Sequence, residues 1–312
     1  MIRRRSGRGI VSRTASFVRV VIAYVVALGV AAAWLWSGPD TGHLWLDTLV
    51  ADLWATLVIF GFSRWYSNSS MYDAYWSVIP PVLLVYWWAA GDVGVDAVHC
   101  WVIAVVVGIW AIRLTANWAT GWPGLDHEDW RYGLLKQRAG GAAIVVDLFA
   151  IHVIPTIQVF LGMVPVYVAV THSDSTIVWL TALAAAVGFA AIGLESAADA
   201  QLRRFTAQRT PGAVLDTGVW SWSRHPNYFG EFSFWVAMAL FGIAASPSDW
   251  WWLLLGVVVM LAMFLGASIP MMEQRSLSRR PGYADVVDRV SLFVPRPPRG
   301  ARPPQSTEHV PG

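Results

Sequence analysis

Apolar runs long enough to cross a hydrocarbon core about 30 Å thick recur along this sequence. They fall at 16–37, 44–62, 72–90, 96–116, 142–171, 175–198, 227–246 and 250–271. Apolar side chains make up 56% of the 312 residues and charged ones 13%, against about 25% charged in soluble domains. A soluble core of this size cannot hide that much apolar surface, so an ordinary soluble enzyme is excluded. Disorder is excluded on the same ground except at the ends. The expected fold is all-α: a polytopic transmembrane helical bundle of seven or eight spans. Asp47 and Asp52 make 44–62 the weakest span, and without it the count is seven. The 142–171 run carries Pro155 and Pro165, so it is expected to be kinked, tilted or broken.

Charge sets the expected orientation. The segments after the first, third, fifth and seventh runs hold no Lys or Arg. With eight spans, every basic residue falls on one side, which the positive-inside rule makes cytoplasmic, with both termini on it. Trp34, Trp36, Trp45, Trp87, Trp88, Trp101, Trp179 and Trp250 to Trp252 gather at the outer ends, and Trp65, Trp76, Trp118, Trp122, Trp130, Trp220 and Trp222 at the inner ends. They read as two aromatic belts. The basic start MIRRRSGRGIVSR is read as leading into a retained first helix rather than a cleaved signal. Three regions follow: hydrophobic hairpins over 1–141, a C-terminal membrane region over 142–295 with two long polar cytoplasmic segments, and a Pro-rich tail over 296–312 expected to be disordered. The net charge of +2 gives no basis for a nucleic-acid partner, and membrane lipids are the expected surroundings. The single cysteine, Cys100, excludes an intramolecular disulfide and a thiolate metal cluster.

Ionisable groups in or beside an apolar span are costly and mark candidate sites. Glu195 and Asp199 are four apart and share a helix face, which Arg203 continues one turn on. Between Asp216 and Glu231 the chain reads DTGVWSWSRHPNYFGE. Pro226 suits the first turn of a helix. Arg224 and His225 then stand at its positive end, an arrangement suited to phosphate. Asn227 and Glu231 lie just inside the same helix, with Tyr228 beside them. A basic stretch after the last span carries Glu273, Arg275, Arg279, Arg280 and Tyr283. Arg113, Asn117, Glu128, Asp129 and Arg131 close the N-terminal half on the same side. Tyr72, Asp73 and Tyr75 sit at the inner end of the third run, where Asp73 could orient either tyrosine as a proton donor. Asp147 and His152 read as a buried pair hydrogen-bonded to a neighbouring helix. There is no GxGxxG, Walker loop, HExxH, CxxC or GxSxG pattern, so a nucleotide would bind helices and loops at the membrane face.

The stretches LESAADAQLRRF at 194–205, LDTGVWSWSRHPNYFGE at 215–231 and RRPGYADVVDRVSLFVP at 279–295 resemble the steroid 5α-reductase C-terminal-domain family, more closely its bacterial members of unassigned function. YDAYW at 72–76, RLTANW at 113–118 and EDWRY at 128–132 extend the likeness weakly. The resemblance implies a multi-pass enzyme of the cell's inner membrane. It implies NADPH bound at the cytoplasmic face, and hydride transfer to an activated C=C bond of a lipidic substrate such as a steroid or polyprenyl enone. Carried over, Glu195 and Asp199 contact the cofactor, with Arg203, Asn117 and Arg131 as further candidates on that side. Asn227, Tyr228 and Glu231 serve the nicotinamide end. Arg224, His225, Arg279, Arg280 and Tyr283 serve the phosphates. The family has Asn where this chain has Glu195. Steroid reductases polarise the substrate ketone with a Glu and a Tyr from early helices. Here Tyr72, Asp73 and Tyr75 are the substitutes.

Two other readings fit part of the pattern. Isoprenylcysteine methyltransferase-type enzymes carry a similar RHPxY, which would hold S-adenosylmethionine. A non-catalytic lipid-binding or assembly protein would bind no nucleotide.

Overall fold

The structure, a computed structural model, describes residues 12–91, 96–171 and 176–300. The basic start before residue 12 and the tail beyond residue 300 lie outside them. Among the described residues the chain is all-helical. Its longer helices are α1 (Arg13–Ser37), α2 (Leu44–Tyr66), α3 (Tyr75–Ala90), α4 (Ala97–Gly121), α5 (Trp130–Ala139), α6 (Ala143–Val146), α7 (Ile154–Thr171), α8 (Val178–Gln208) and α9 (Pro226–Ala245). Then follow α10 (Trp250–Leu253), α11 (Leu255–Met263), α12 (Ile269–Arg279) and α13 (Tyr283–Arg289). Side chains start several of them. Ser12 accepts from the Ala15 amide at α1, Asp96 from the Val98 and His99 amides at α4, and Asp129 from the Arg131 amide at α5, each satisfying amides that a helix start leaves open.

Among the described residues, seven helical stretches are long and apolar enough to cross a membrane. The short one differs from the expected one. The 44–62 run, suspect for its two aspartates, extends to a 23-residue helix. The 72–90 run instead yields the 16-residue α3, because its first residues are used otherwise. Ser69–Tyr72 form a single 3-10 turn, which Asp73 caps. The expected break in the fifth run is present and local. A π-helical segment over Asp147–Val153 precedes α7. Pro155, with no N–H to give, follows within two residues. Pro165 lies inside α7 without ending it.

The chain divides into two compact units, residues 1–186 with 235–259, and residues 187–234 with 260–312. In the first, α7 packs against α2, α3 and α4. Trp87, Trp110, Trp235 and Phe160 are fully buried there. Trp87 meets Phe160 edge-on at 5.7 Å, and Trp110 meets Trp235 at 5.5 Å. Trp87 thus belongs to the core and not to an aromatic belt; its indole N–H donates to Thr48 Oγ1 at 3.0 Å. Trp36, Trp65, Trp101 and Trp179 are exposed, as a belt requires. In the second unit Tyr283, Val286 and Val290 form a small core with Val214 and Val287.

Close backbone approach holds the first unit together at glycines. An added Cβ at Gly256 would stand 2.5 Å from the Leu161 carbonyl oxygen, a backbone atom that cannot swing aside. Gly256→Ala is therefore expected to destabilise the protein by about 1–3 kcal/mol. Gly61, with nothing within 4 Å of its Cβ position, is expected to accept alanine with a gain of up to about 1 kcal/mol. Thermal unfolding in detergent compares the two.

Candidate functional site

The first unit contains an apolar cavity of about 420 Å³ among α1, α2 and α3. Alanines at 31, 32, 51 and 55 make room for it. Its walls are mostly hydrocarbon, and Asp52 and Tyr75, with Thr48, Trp36 and Tyr86, add the polar groups. Asp52 and Tyr75 are both buried. The Tyr75 hydroxyl donates to Asp52 Oδ1 at 2.6 Å. A phenol hydrogen-bonded to a carboxyl group in a largely apolar cavity is a polar pair that a ligand with one polar atom can engage.

Tyr72 and Asp73 do not join this pair. Tyr72 stacks on Tyr75, ring centroids 5.1 Å apart, while its hydroxyl shares a hydrogen bond with Thr156 Oγ1 at 2.8 Å. Thr156 in turn meets Thr56 Oγ1 at 2.7 Å. Asp73 accepts from the Tyr132 hydroxyl at 2.5 Å. The expectation that Asp73 orients Tyr72 or Tyr75 is therefore corrected. The three residues fall on different elements: Tyr72 ends the 3-10 turn, Asp73 caps it and Tyr75 opens α3. Their side chains diverge accordingly. Asp147 and His152 do form a buried network with α2. Asp147 accepts from Ser69 Oγ at 2.6 Å and Arg64 Nη1 at 3.1 Å. His152 Nδ1 donates to the Asp147 carbonyl at 2.8 Å, and its Nε2 meets Ser63 Oγ at 3.2 Å.

The second unit contains a larger cavity, about 530 Å³, of opposite character. Arg209, Arg224, Arg275, Arg279 and Arg280 line it, and no Asp or Glu does. His225, Asn227, Tyr228 and Tyr283 also face it. The local fold follows from the DTG and RHPNY stretches. Gly218, at φ +61°, fits tightly against Gln201, whose side chain accepts from the Val219 amide at 3.0 Å. Ser223 Oγ accepts from the His225 amide at 3.1 Å, and Pro226 opens α9. His225 stacks on Tyr228 at 5.5 Å and Tyr228 on Phe264 at 5.2 Å.

A carboxylate just behind this wall reassigns several residues. Glu273 receives Arg224 Nη2 and His225 Nε2, each at 2.9 Å, and the Tyr283 hydroxyl at 2.5 Å. Arg224 Nη1 donates to the Val287 and Val290 carbonyls, both at 2.9 Å. Burial, then this hydrogen bond to Glu273, raises the Tyr283 pKa. Arg224, His225 and Tyr283 therefore tie α13 to the start of α9, where the sequence alone suggested phosphate contacts. The cations left are Arg209, Arg279 and Arg280, which have no ion-pair partner among the described residues. Burial, then the charge of Arg209, lowers the Arg280 pKa. Like charges held together in this way favour an anion between them.

Of the other sequence candidates, Glu195, Asp199, Arg203, Glu231, Asn117 and Arg131 do not line this cavity. Glu195 is buried on α8 against Gly230, where an added Cβ would stand 2.4 Å from its Cγ. Asp129 grips Arg131 with two bonds of 2.9 Å. Sequence reasoning assigned no site role to Asp52 or Arg209, and named Glu273 only as part of the basic stretch. Asp52 had a signal, an aspartate inside an apolar run, but it was used only against the span. Arg209, alone in a polar stretch, had none.

With this geometry in place, the chain is assigned to a family. The family described as Protein of unknown function (DUF1295) matches residues 59–290. The chain belongs to it, and the family is steroid 5α-reductase-like in general. An uncharacterised protein of Schizosaccharomyces pombe, C594.04c, is 26% identical over 265 residues, which cover 77% of this chain and 76% of the yeast protein. No solved structure matches the chain.

The Glu273 hub is testable apart from any activity. Glu273→Ala leaves Arg224 buried without its counter-charge and is expected to cost about 3 kcal/mol of stability. Arg209→Gln is expected to leave stability unchanged or slightly higher. The raised Tyr283 pKa contributes stability that is present at neutral pH and lost as pH rises past the ordinary tyrosine value of about 10. Thermal unfolding between pH 7 and pH 11 should fall less steeply for Tyr283→Phe than for the parent chain.

Proposed function

We propose that this chain is a membrane reductase that uses NADPH to reduce an activated C=C bond of a lipidic enone. The observation that carries the reading is the cavity lined by five arginines and no carboxylate. S-Adenosylmethionine is a sulfonium with an ammonium group, and such a wall repels it. A dinucleotide with a diphosphate and a further phosphate matches the wall in charge and in bidentate geometry. The unpartnered Arg209, Arg279 and Arg280 are the phosphate ligands in this reading. The stacked faces of His225 and Tyr228, with Asn227 between them in sequence, offer a flat surface and an amide for a heteroaromatic carboxamide. Membership in a steroid 5α-reductase-like family supports the same class.

When bound, NADPH supplies the hydride. The chain's own part lies at the apolar cavity. The cavity takes the lipid and excludes water, which keeps any hydrogen bond inside it strong. Tyr75 is the donor at the substrate's carbonyl oxygen, where negative charge grows as the β-carbon is reduced. A phenol has one proton, so in this step Asp52 is the protonated partner. Its carboxyl donates to the Tyr75 oxygen, the phenol proton turns to the carbonyl oxygen, and Asp52 replaces that proton as it leaves. The arginine-rich cavity faces the cytoplasm in this reading, and both termini lie on that side.

Thermal unfolding of the detergent-purified protein with NADPH, NADH or S-adenosylmethionine tests the cofactor. NADPH is expected to stabilise the chain by about 2–3 kcal/mol at a hundred times its Kd, and Arg280→Gln to remove most of that. Stabilisation by S-adenosylmethionine alone would sink the reading. Tyr75→Phe is expected to keep the NADPH response while turnover of a lipid enone falls about 10²–10⁴-fold.

A further inference from the structure

Residues 289–300 hold three arginines, Arg289, Arg296 and Arg299, and no carboxylate. Apart from the end of α13 they form no helix, yet they are firmly held. The Arg224 amide donates to the Ser291 carbonyl at 2.8 Å and the Arg296 amide to the Trp222 carbonyl at 2.9 Å. Ser223 Oγ donates to the Phe293 carbonyl at 2.7 Å. Phe293 points inward, ring to ring with Phe229, Phe232 and Phe264. Its two chain neighbours in this bend are left exposed instead. Leu292 and Val294 are 39% and 45% exposed, and Trp222 beside them is 49% exposed.

Arg289 is paired with Asp216 at 3.0 Å. Three large apolar side chains are thus held at the surface, outside any spanning helix, next to a segment that carries the exposed Arg296 and Arg299. A soluble surface gains nothing from this arrangement. It matches the boundary of a bilayer, where tryptophan and aliphatic side chains sit among the upper acyl carbons and arginines meet lipid phosphates. We propose that Trp222, Leu292 and Val294 form an interfacial anchor that inserts into an anionic leaflet, with Arg296 and Arg299 on its headgroups. The anchor fixes the depth of the arginine-rich cavity's unit relative to the lipid surface.

The test uses the full chain in nanodiscs containing phosphatidylglycerol, with an environment-sensitive dye on a thiol introduced by Val294→Cys or, separately, Trp222→Cys. The natural Cys100 is fully buried and does not compete for label. A dye at Val25→Cys, exposed on α1, is the lipid reference, and the free dye–cysteine adduct is the water reference. The expected result is blue-shifted emission, iodide quenching several-fold below the water reference, and quenching by lipids labelled near the headgroup. Emission and iodide quenching equal to the water reference at both positions overturn the anchor. Arg296→Gln with Arg299→Gln, or discs of neutral lipid, should reduce the protection. Protection that is the same in neutral and anionic discs overturns the assignment of an anionic partner.

Discussion

In a lipid environment a polar group that finds no partner inside the protein has no water to turn to. That constraint runs through every part of this structure. It makes the described chain all-helical, since each helix satisfies its own backbone. It explains why so few ionisable side chains near the spans stand alone. Asp147 is met by Arg64 and Ser69, Asp73 by Tyr132, and Glu273 by Arg224, His225 and Tyr283. Even the indole of Trp87 finds a threonine hydroxyl.

Two places depart from this economy in opposite ways. In the first unit a carboxyl–phenol pair is placed at the wall of a hydrocarbon cavity. Little of its wall is polar, which suits a largely apolar ligand. In the second unit five guanidinium groups line one cavity with no acid among them. Three of them, Arg209, Arg279 and Arg280, have no ion-pair partner among the described residues, an excess of positive charge that suits an anion.

The sequence was most legible where composition dominates. Apolar length foretold an all-helical membrane chain, and Pro155 foretold the interruption before α7. It was less legible where two residue types compete. Asp47 and Asp52 argued against α2, yet that helix is long because Asp52 has Tyr75 to meet. The 72–90 run looked as apolar as its neighbours, yet Ser69, Ser70 and Asp73 turn its start into a 3-10 turn and shorten α3. The RHPNY stretch was singled out for a helix start with polar side chains, and His225, Asn227 and Tyr228 do line a cavity. The role of Arg224 was not legible, because its partner lies 49 residues away on α12.

By itself the sequence determined the class of fold and marked the stretch that opens α9 as polar among apolar neighbours, since hydropathy and local motifs act over a few turns of chain. Which tyrosine meets which acid, which arginines remain without a carboxylate, and where alanines leave a cavity were decided only by tertiary structure. Those outcomes depend on contacts between residues far apart in the chain, such as Asp52 with Tyr75 and Arg224 with Glu273. A side chain's partner is set by helix packing and not by its neighbours in sequence.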